Sequence, residues 1–213
     1  MDVSEYWKSR GPKYQNELEE KSKPLQIRLE QQEKIIKKIL SKFKPKSILE
    51  IGCGSGRFTK ILSQLTEFEK YIAIDISQDQ INNAKKIVNN KKIDFQCIKI
   101  QDFNIQEKFD LVFASEVLMH INFNDINEVL RKIISLSKNK VITVDWFDSN
   151  KIGKEMSEYC FLHDYNLLYT QNQVKEVIVR DIPITFLLKL VDKYAKARKR
   201  EGFEKQSIFE INV

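Results

Sequence analysis

The sequence predicts an α/β fold in which a mostly parallel β-sheet carries helices on both faces, and three observations support this prediction. Short apolar runs alternate along the chain with longer segments whose apolar residues recur at helical spacing. The run at 71–76 is almost wholly apolar, as expected of a strand that is covered on both faces. The run Ile48–Ile51 leads into a glycine-rich turn and then into a helical pattern, which indicates a strand-loop-helix unit.

Length and composition are typical of one globular domain. The chain has 213 residues, of which 42% are hydrophobic and 31% charged, so it can bury a sizeable core. No apolar run approaches the roughly 20 residues of a membrane span, and the first residues lack the hydrophobic region of a secretory signal. The three cysteines are scattered without C-x-x-C spacing, which suggests neither a disulfide framework nor a metal site. We therefore expect a cytoplasmic protein without a bound metal.

Each predicted element has its own signal in the sequence. A helix begins near Pro24, carries apolar residues at helical spacing up to Phe43 and ends before Pro45. Ser77 is suited to cap a later helix, and Asp125 starts another. The predicted strands are 48–51, 71–76, 93–100, 109–114, 141–146, 174–179 and 207–213, and the helices between them include 58–65, 81–88 and 126–134.

The glycine-rich turn is the strongest candidate for a ligand site. Gly52, Gly54 and Gly56 let the backbone bend sharply and leave no Cβ to obstruct a ligand, while the helix start offers unpaired N–H donors. Cys53 is interpreted as a small residue that fills the loop. Asp75 lies nineteen positions after Gly56, where a carboxylate can accept hydrogen bonds from both hydroxyls of a ribose. A nucleoside-type ligand is predicted.

Two nucleoside-type cofactors use such a unit, and the residue types separate them. Dinucleotide binding requires G-x-G-x-x-G, whereas the spacing here is G-x-G-x-G, with Arg57 and Phe58 where the third glycine would begin the helix. Glu50 lies two residues before the first glycine, where its carboxylate would repel a pyrophosphate but attract a cationic amino-acid group. The loop therefore favours a cofactor that carries an ammonium and a sulfonium.

The motif Glu50-x-Gly52-x-Gly54-x-Gly56, followed by Asp75, resembles that of the class I S-adenosylmethionine-dependent methyltransferases. The segment FDLVFASEVLMHI is similar to the family's fourth-strand motif. The resemblance implies that the glycine loop passes the methionyl part of S-adenosylmethionine, that Asp75 holds the ribose, and that the end of the third strand lies by the adenine. The predicted cofactor-binding residues are Glu50, Gly52, Cys53, Gly54, Gly56, Asp75, Ile76, Gln101, Asp102, Phe103, Ser115, Tyr14 and Arg10.

The resemblance also refines the predicted fold. It implies a Rossmann-like sheet of seven mostly parallel strands, whose last strand pairs antiparallel between the fifth and sixth, and an N-terminal helical lid. We predict the lid over residues 1–46 and the methyltransferase domain over 47–213.

The roles of two residues after the third predicted strand stay open. Asp102 is suited to the adenine amino group and Phe103 to stacking on the ring, although both also fit an ordinary strand-end turn.

Residues 2–16 contain three aromatic side chains around a Gly-Pro turn and look like such a lid. The W-x-x-R-G-x-x-Y arrangement makes Arg10 and Tyr14 candidates for contact with the cofactor carboxylate or the substrate. The alternative is an aromatic staple that only packs this helix onto the domain.

The two histidines are candidates for catalysis. His120 follows the fourth predicted strand at its carboxyl end, where ligands bind in open α/β sheets, and Glu116 would share its face on a helical turn. His163 lies beside Asp164 in an aromatic-rich segment, so it is a candidate to remove a proton from a hydroxyl, amine or carboxyl acceptor. Packing roles are the alternative for both histidines, and an acceptor that is already a carboxylate or a thiolate needs no base.

The net charge of +6 is unevenly distributed. Residues 1–46 hold 12 basic and 7 acidic side chains, and residues 185–200 hold 6 basic and 1 acidic, so each segment carries +5. The second segment is predicted to form a basic amphipathic helix that packs on the domain, or else contacts a membrane surface or RNA phosphates.

The sequence therefore predicts a methyltransferase that uses S-adenosylmethionine to methylate an oxygen or nitrogen of a small molecule or of a glycan or lipid-linked intermediate. The fourth strand is followed by ASEV and not by the N/D-P-P-Y tetrapeptide with which some family members act on amino groups. One alternative is an RNA or protein methyltransferase that uses the basic flanks. Others are a catalytically silent cofactor-binding scaffold and, outside the family, NAD-dependent oxidation.

Overall fold

A computed structural model describes residues 5–10, 23–147, 150–182 and 206–213. Residues 5–10 are helical and are called α1 here. The other helices are α2 (Lys23–Lys42), α3 (Arg57–Leu65), α4 (Gln78–Val88), α5 (Ile126–Ser135) and α6 (Tyr165–Gln171). The strands are β1 (Ser47–Ile51), β2 (Lys70–Asp75), β3 (Ile93–Cys97), β4 (Phe109–Ser115), β5 (Ser137–Trp146), β6 (Glu155–Ser157), β7 (Cys160–Phe161), β8 (Glu176–Asp181) and β9 (Gln206–Asn212).

Seven strands form one sheet in the order β3-β2-β1-β4-β5-β9-β8. The first five strands in this order are parallel to one another, and β9 pairs antiparallel with both β5 and β8. This topology confirms the predicted mostly parallel sheet with its antiparallel last strand between the fifth and the sixth. The connections run in opposite directions from β1 and β4, which leaves a crevice at the carboxyl ends of these two central strands.

Helices cover both faces of the sheet, as predicted. On one face, α2, α3 and α4 bury side chains such as Ile36, Leu62 and Ile81 against the sheet. On the other face, α5 and α6 bury Leu130 and Tyr169. Because both faces are covered, β1, β2 and β4 are buried along almost their whole length, which explains their continuous apolar sequences.

Some boundaries differ from the sequence prediction. Strand β3 ends at Cys97 instead of residue 100, because the chain turns away from β2 at the carboxyl end of the sheet. Strand β5 begins at Ser137, four residues earlier than predicted, and the hairpin β6–β7 was not predicted at all. Both hairpin strands are very short, so neither has a detectable alternation of polar and apolar residues.

Some of the sequence predictions are not tested by the described residues. Tyr14 and the basic helix predicted over 185–200 lie outside the described residues. The division into a lid over 1–46 and a domain over 47–213 stays a prediction. Among the described residues, no helix is both long and apolar enough to cross a bilayer.

Candidate functional site

A cavity of about 760 Å³ opens at the carboxyl ends of β1, β2 and β4. Its walls come from the glycine loop, the segment after β4, α1, α2 and the β6–β7 hairpin. This is the crevice in which open α/β sheets bind their ligands. The predicted site residues that line it are Arg10, Glu50, Gly52, Cys53, Gly54, Asp75, Ile76, Gln101, Ser115 and His120.

The glycine loop borders the cavity, and its glycines have positive φ values that other residues rarely adopt. Gly54 has a φ of 54°, and a Cβ added to it would meet no protein atom within 4 Å. Gly56 has a φ of 88°, and its added Cβ would lie 2.8 Å from Cγ2 of Val88. Gly56 therefore permits close packing of α3 on α4, whereas Gly54 leaves space open at the loop. The loop is held in place by Cys53, whose N–H donates to the Ile74 carbonyl at 3.0 Å.

Asp75 fastens the glycine loop to the end of β2. Its Oδ2 accepts a hydrogen bond from the Gly54 N–H at 2.8 Å, and its Oδ1 accepts one from the Ser77 N–H at 2.9 Å. Burial raises the pKa of this carboxyl above its usual range, although both of these backbone hydrogen bonds oppose the shift. Each carboxylate oxygen has a second lone pair, so both can still accept a ligand hydroxyl.

Glu50 is a buried carboxyl group at the start of the glycine loop, and only 2% of its surface is exposed. Its Oε2 accepts hydrogen bonds from Thr59 Oγ1 and from the Tyr71 hydroxyl, both at 2.6 Å. Burial outweighs these bonds and the nearby Arg57 charge, and it raises the pKa of Glu50 to about 7. A cation bound in the cavity would therefore favour the ionised form of Glu50.

The segment after β3 contributes only part of what the sequence predicted. Gln101 lines the cavity, as expected for a residue near the adenine. Asp102 does not line it: its side chain is 61% exposed and forms an ion pair with Lys99 at 3.6 Å. Phe103 is buried in the hydrophobic core beside residues such as Ile100, so its ring is not free to stack on a ligand. The structure thus corrects the placement of Asp102 and Phe103, because the chain turns inward at 100–103.

Ser115 lies at the end of β4 and lines the cavity. Its Oγ is buried and has no hydrogen-bond partner within the described part of the chain. A buried hydroxyl without a partner loses free energy relative to water, so such groups in native proteins usually meet a ligand or an ordered water. The Ser115 hydroxyl is therefore suited to contact a bound ligand.

Glu116 is the centre of a buried polar network that the sequence did not reveal. Its Oε1 accepts from Gln32 Nε2 at 3.2 Å and from Gln206 Nε2 at 2.9 Å, and it lies 3.6 Å from Nη1 of Arg28. Burial tends to raise the pKa of Glu116, but the charges of Arg28 and Arg57 and the two amides hold it below its usual range. The partners are far apart in sequence, so no local pattern could have identified this network.

His120 has a defined tautomer at the cavity wall. Its Nδ1 lies 2.6 Å from the Tyr159 carbonyl oxygen, which can only accept, so Nδ1 carries the proton in the neutral ring. Burial and the nearby Arg10 charge lower the pKa of His120, so the ring is neutral near pH 7. Glu116 and His120 would share a face if their segment were one helical turn. The condition is not met, because Glu116 has a φ of 57° and the short 3₁₀ helix spans only Leu118–His120.

Helix α1 covers the mouth of the cavity with aromatic side chains. The Trp7 ring lies 4.4 Å from the His120 ring, and the Tyr6 ring lies 4.9 Å from the Tyr159 ring, measured between centroids. Arg10 Nη1 donates to the Tyr6 hydroxyl at 3.0 Å. Residues 5–10 therefore contact both the segment after β4 and the β6–β7 hairpin, and Arg10 lines the cavity as predicted for a lid.

His163 lies away from the cavity, in an aromatic cluster behind the β6–β7 hairpin. Only 3% of its surface is exposed, and its Nε2 donates to the Ile121 carbonyl at 2.9 Å. Its ring packs against Phe123 and Tyr165, and burial lowers its pKa to about 4. The structure thus places His163 in a packing position and not on the substrate side.

Comparisons with known proteins agree with this geometry. Residues 48–140 match the model of a protein family described as a methyltransferase domain. The chain is 31% identical over 101 residues to a malonyl-[acyl-carrier protein] O-methyltransferase of Acetivibrio thermocellus, which covers 47% of this chain and 35% of that protein. It is also 31% identical over 106 residues to a ubiquinone biosynthesis O-methyltransferase of Bradyrhizobium diazoefficiens, covering 48% and 40%. The matched part thus spans less than half the length of these curated relatives.

A solved structure resembles the fold over its whole length. Magnesium protoporphyrin IX methyltransferase from Synechocystis PCC 6803, crystallised with bound SAM, matches with a TM-score of 0.72 at 14% identity. The match covers 100% of this chain and 97% of that chain. This likeness shows that the two proteins share the Rossmann-like fold.

Proposed function

We propose that the chain, whose residues 48–140 match the methyltransferase-domain model, transfers a methyl group from S-adenosylmethionine to a small-molecule acceptor. The observation that carries this proposal is the arrangement of Gly54, Asp75 and Glu50 around one cavity. It offers open space at the loop, a carboxylate for two hydroxyls and a buried carboxyl that favours a cation.

The residues present fit the chemistry of S-adenosylmethionine. Glu50 and the backbone of Gly52–Gly54 would border its positively charged methionyl part, and the two oxygens of Asp75 would accept from the ribose hydroxyls. Ile76 and Gln101 would lie by the base, and the partnerless Ser115 hydroxyl would gain a hydrogen-bond partner. Arg10 would close the site from α1, and Tyr14 stays a predicted contact.

When bound, S-adenosylmethionine supplies an activated methyl group on a sulfonium, so the protein's main task is to orient the acceptor and exclude water. Helix α1 serves this task because Tyr6 and Trp7 cover the cavity beside His120. Glu116 contributes only indirectly to orienting the acceptor. Its network ties α2, the end of β4 and the start of β9 together at the floor of the cavity.

The acceptor that we propose is a small molecule or a glycan or lipid-linked intermediate, methylated in the cytoplasm. Both curated relatives are named O-methyltransferases, which favours oxygen as the methylated atom. An RNA or protein methyltransferase that uses the basic flanks is the alternative; methylation of bulk tRNA and a steep salt dependence of binding would favour it.

Cofactor binding is tested by calorimetry with S-adenosylhomocysteine and, separately, with NAD. We expect saturable binding of S-adenosylhomocysteine and none of NAD. Transfer is then tested by incubating the protein and radiolabelled methyl donor with fractions of a cell extract. Label in a small-molecule fraction supports the proposal. Cofactor binding without transfer to any fraction would instead support the silent scaffold.

A further inference from the structure

We propose that the methyl acceptor is a phenol-type compound, whose planar ring contacts Trp7 and whose hydroxyl donates a hydrogen bond to Nε2 of His120. This inference rests on the proposed function and names its substrate class. It depends on three features of the cavity wall, namely the His120 tautomer, the charge of Arg10 and the aromatic side chains of α1.

The first feature is the free nitrogen of His120. Because Nδ1 donates to the Tyr159 carbonyl at 2.6 Å, Nε2 of the neutral ring carries a lone pair. No side chain or backbone group within the described residues hydrogen-bonds this nitrogen, and the ring lines the cavity. A lone pair in a cavity binds an acceptor that brings a proton, such as a hydroxyl, and repels a carboxylate, which has only lone pairs to offer.

The second feature is the positive charge next to His120. The Arg10 guanidinium lies 5.8 Å from the Tyr6 ring and 6.0 Å from the Trp7 ring, and it helps to lower the pKa of His120. A protonated amine would be repelled by this charge, whereas an oxygen that gains negative charge during proton transfer would be stabilised by it. The Glu116 carboxylate opposes Arg10 by raising the pKa of His120, and Asp125 and Glu158 also line the cavity. These carboxylates favour an amine, so an amine belongs in the test.

The third feature is the aromatic wall. Tyr6 and Trp7 contact each other edge to face at 5.4 Å, and Trp7 contacts the His120 ring at 4.4 Å. Both residues line the cavity, so a flat ring can pack on them and bury apolar area without many rotatable bonds. A saturated alcohol would satisfy His120 but would gain less from this wall.

The reaction balances without a further reagent. The acceptor oxygen forms a bond to the methyl carbon as the carbon–sulfur bond breaks, and the electron pair of that bond stays on sulfur. The hydroxyl proton passes to Nε2 of His120. The positive charge that leaves the sulfonium therefore reappears on the imidazolium, which releases its proton to water after the product leaves.

The experiment uses the fact that the chain has two histidines. The protein is labelled with ¹⁵N-histidine, saturated with S-adenosylhomocysteine and titrated with phenol, benzoate or benzylamine. We expect phenol to shift the Nε2 resonance of His120 and to leave the buried His163 unchanged. Benzoate and benzylamine should bind at least tenfold more weakly. Trp7→Ala should weaken phenol binding at least tenfold, and Trp7→Phe should restore most of it.

Three results would overturn the inference: a proton on Nε2 of His120, equal or tighter binding of benzoate or benzylamine, or no response to phenol up to its solubility. A calorimetric titration of the protein with S-adenosylhomocysteine alone separates the two proposals. If S-adenosylhomocysteine does not bind, the proposed function fails. If it binds and phenol has no effect on His120, only the acceptor class fails.

Discussion

Replacing Glu50 by glutamine tests whether ionisation of this buried carboxyl group destabilises the folded protein. Burial raises the pKa of Glu50 from 4.5 to about 7. A carboxyl whose pKa is higher in the folded state adds stability below its unfolded pKa, and this stability is lost as the pH rises through the folded value. At roughly 1.36 kcal/mol per pH unit, keeping Glu50 ionised in the folded protein costs about 3 kcal/mol at pH 8.

The amide of Glu50→Gln has no charge to desolvate, and its oxygen can still accept from Thr59 and Tyr71. We therefore expect the variant to be more stable than the wild type at pH 8, by about 1 to 3 kcal/mol, and to differ little near pH 5. The assay is urea unfolding at both pH values. Glu67→Gln, which changes an exposed carboxylate, is the control and should show no such pH dependence.

The same variant should bind its cofactor more weakly, because the neutral amide no longer attracts a cation. The loss should be larger for S-adenosylmethionine, which carries the sulfonium, than for S-adenosylhomocysteine, which does not. The reasoning is refuted if Glu50→Gln is less stable than the wild type at pH 8, because the ionised carboxylate would then be a net source of stability in the free protein.

Three further predictions address the loop and the buried histidine. Asp75→Ala should weaken S-adenosylhomocysteine binding by about 1 to 3 kcal/mol; an unchanged dissociation constant by calorimetry would contradict its ribose role. Gly54→Ala should impair cofactor binding more than stability, whereas Gly56→Ala should mainly lower the melting temperature because its Cβ approaches Val88; equal losses in both variants would contradict this. His163 should destabilise the wild type by up to about 3 kcal/mol as the pH falls from 6.5 to 4. His163→Gln should lack this loss in acid unfolding curves, and identical curves would speak against it.

Much of the fold could be predicted from the sequence, because periodicity and glycine spacing are local signals. The buried strands around Glu50 and Asp75 have continuous apolar runs, and the loop between them has its glycines at fixed offsets. The resemblance implied that the last strand pairs antiparallel between the fifth and the sixth, and the observed sheet confirms this.

The cavity wall beyond the loop was less predictable, because it depends on contacts between distant segments. Arg28, Gln32 and Gln206 meet at Glu116. The hydrogen-bonded pairs among Gln32, Glu116 and Gln206 are 84 or more positions apart in sequence. Tyr159 reaches His120 only because a two-residue turn of the β6–β7 hairpin points its carbonyl there. None of these contacts has a signature in local composition.

The positions of the two histidines also depend on contacts that the sequence does not reveal. Both His120 and His163 were candidates for catalysis from the sequence. In the structure one lines the cavity with a defined tautomer, and the other is buried against Phe123 and donates to a backbone carbonyl. Which residue faces a cavity depends on the packing of β7, and the sequence does not show that packing.

The glycine loop and Asp75 are proposed to hold a positively charged methyl donor. Calorimetric titration of the wild type and of Asp75→Ala with S-adenosylmethionine, and separately with NAD, tests this proposal in one series. We expect saturable binding of S-adenosylmethionine that the substitution weakens, and no heat from NAD. Binding of NAD with no response to S-adenosylmethionine would contradict it.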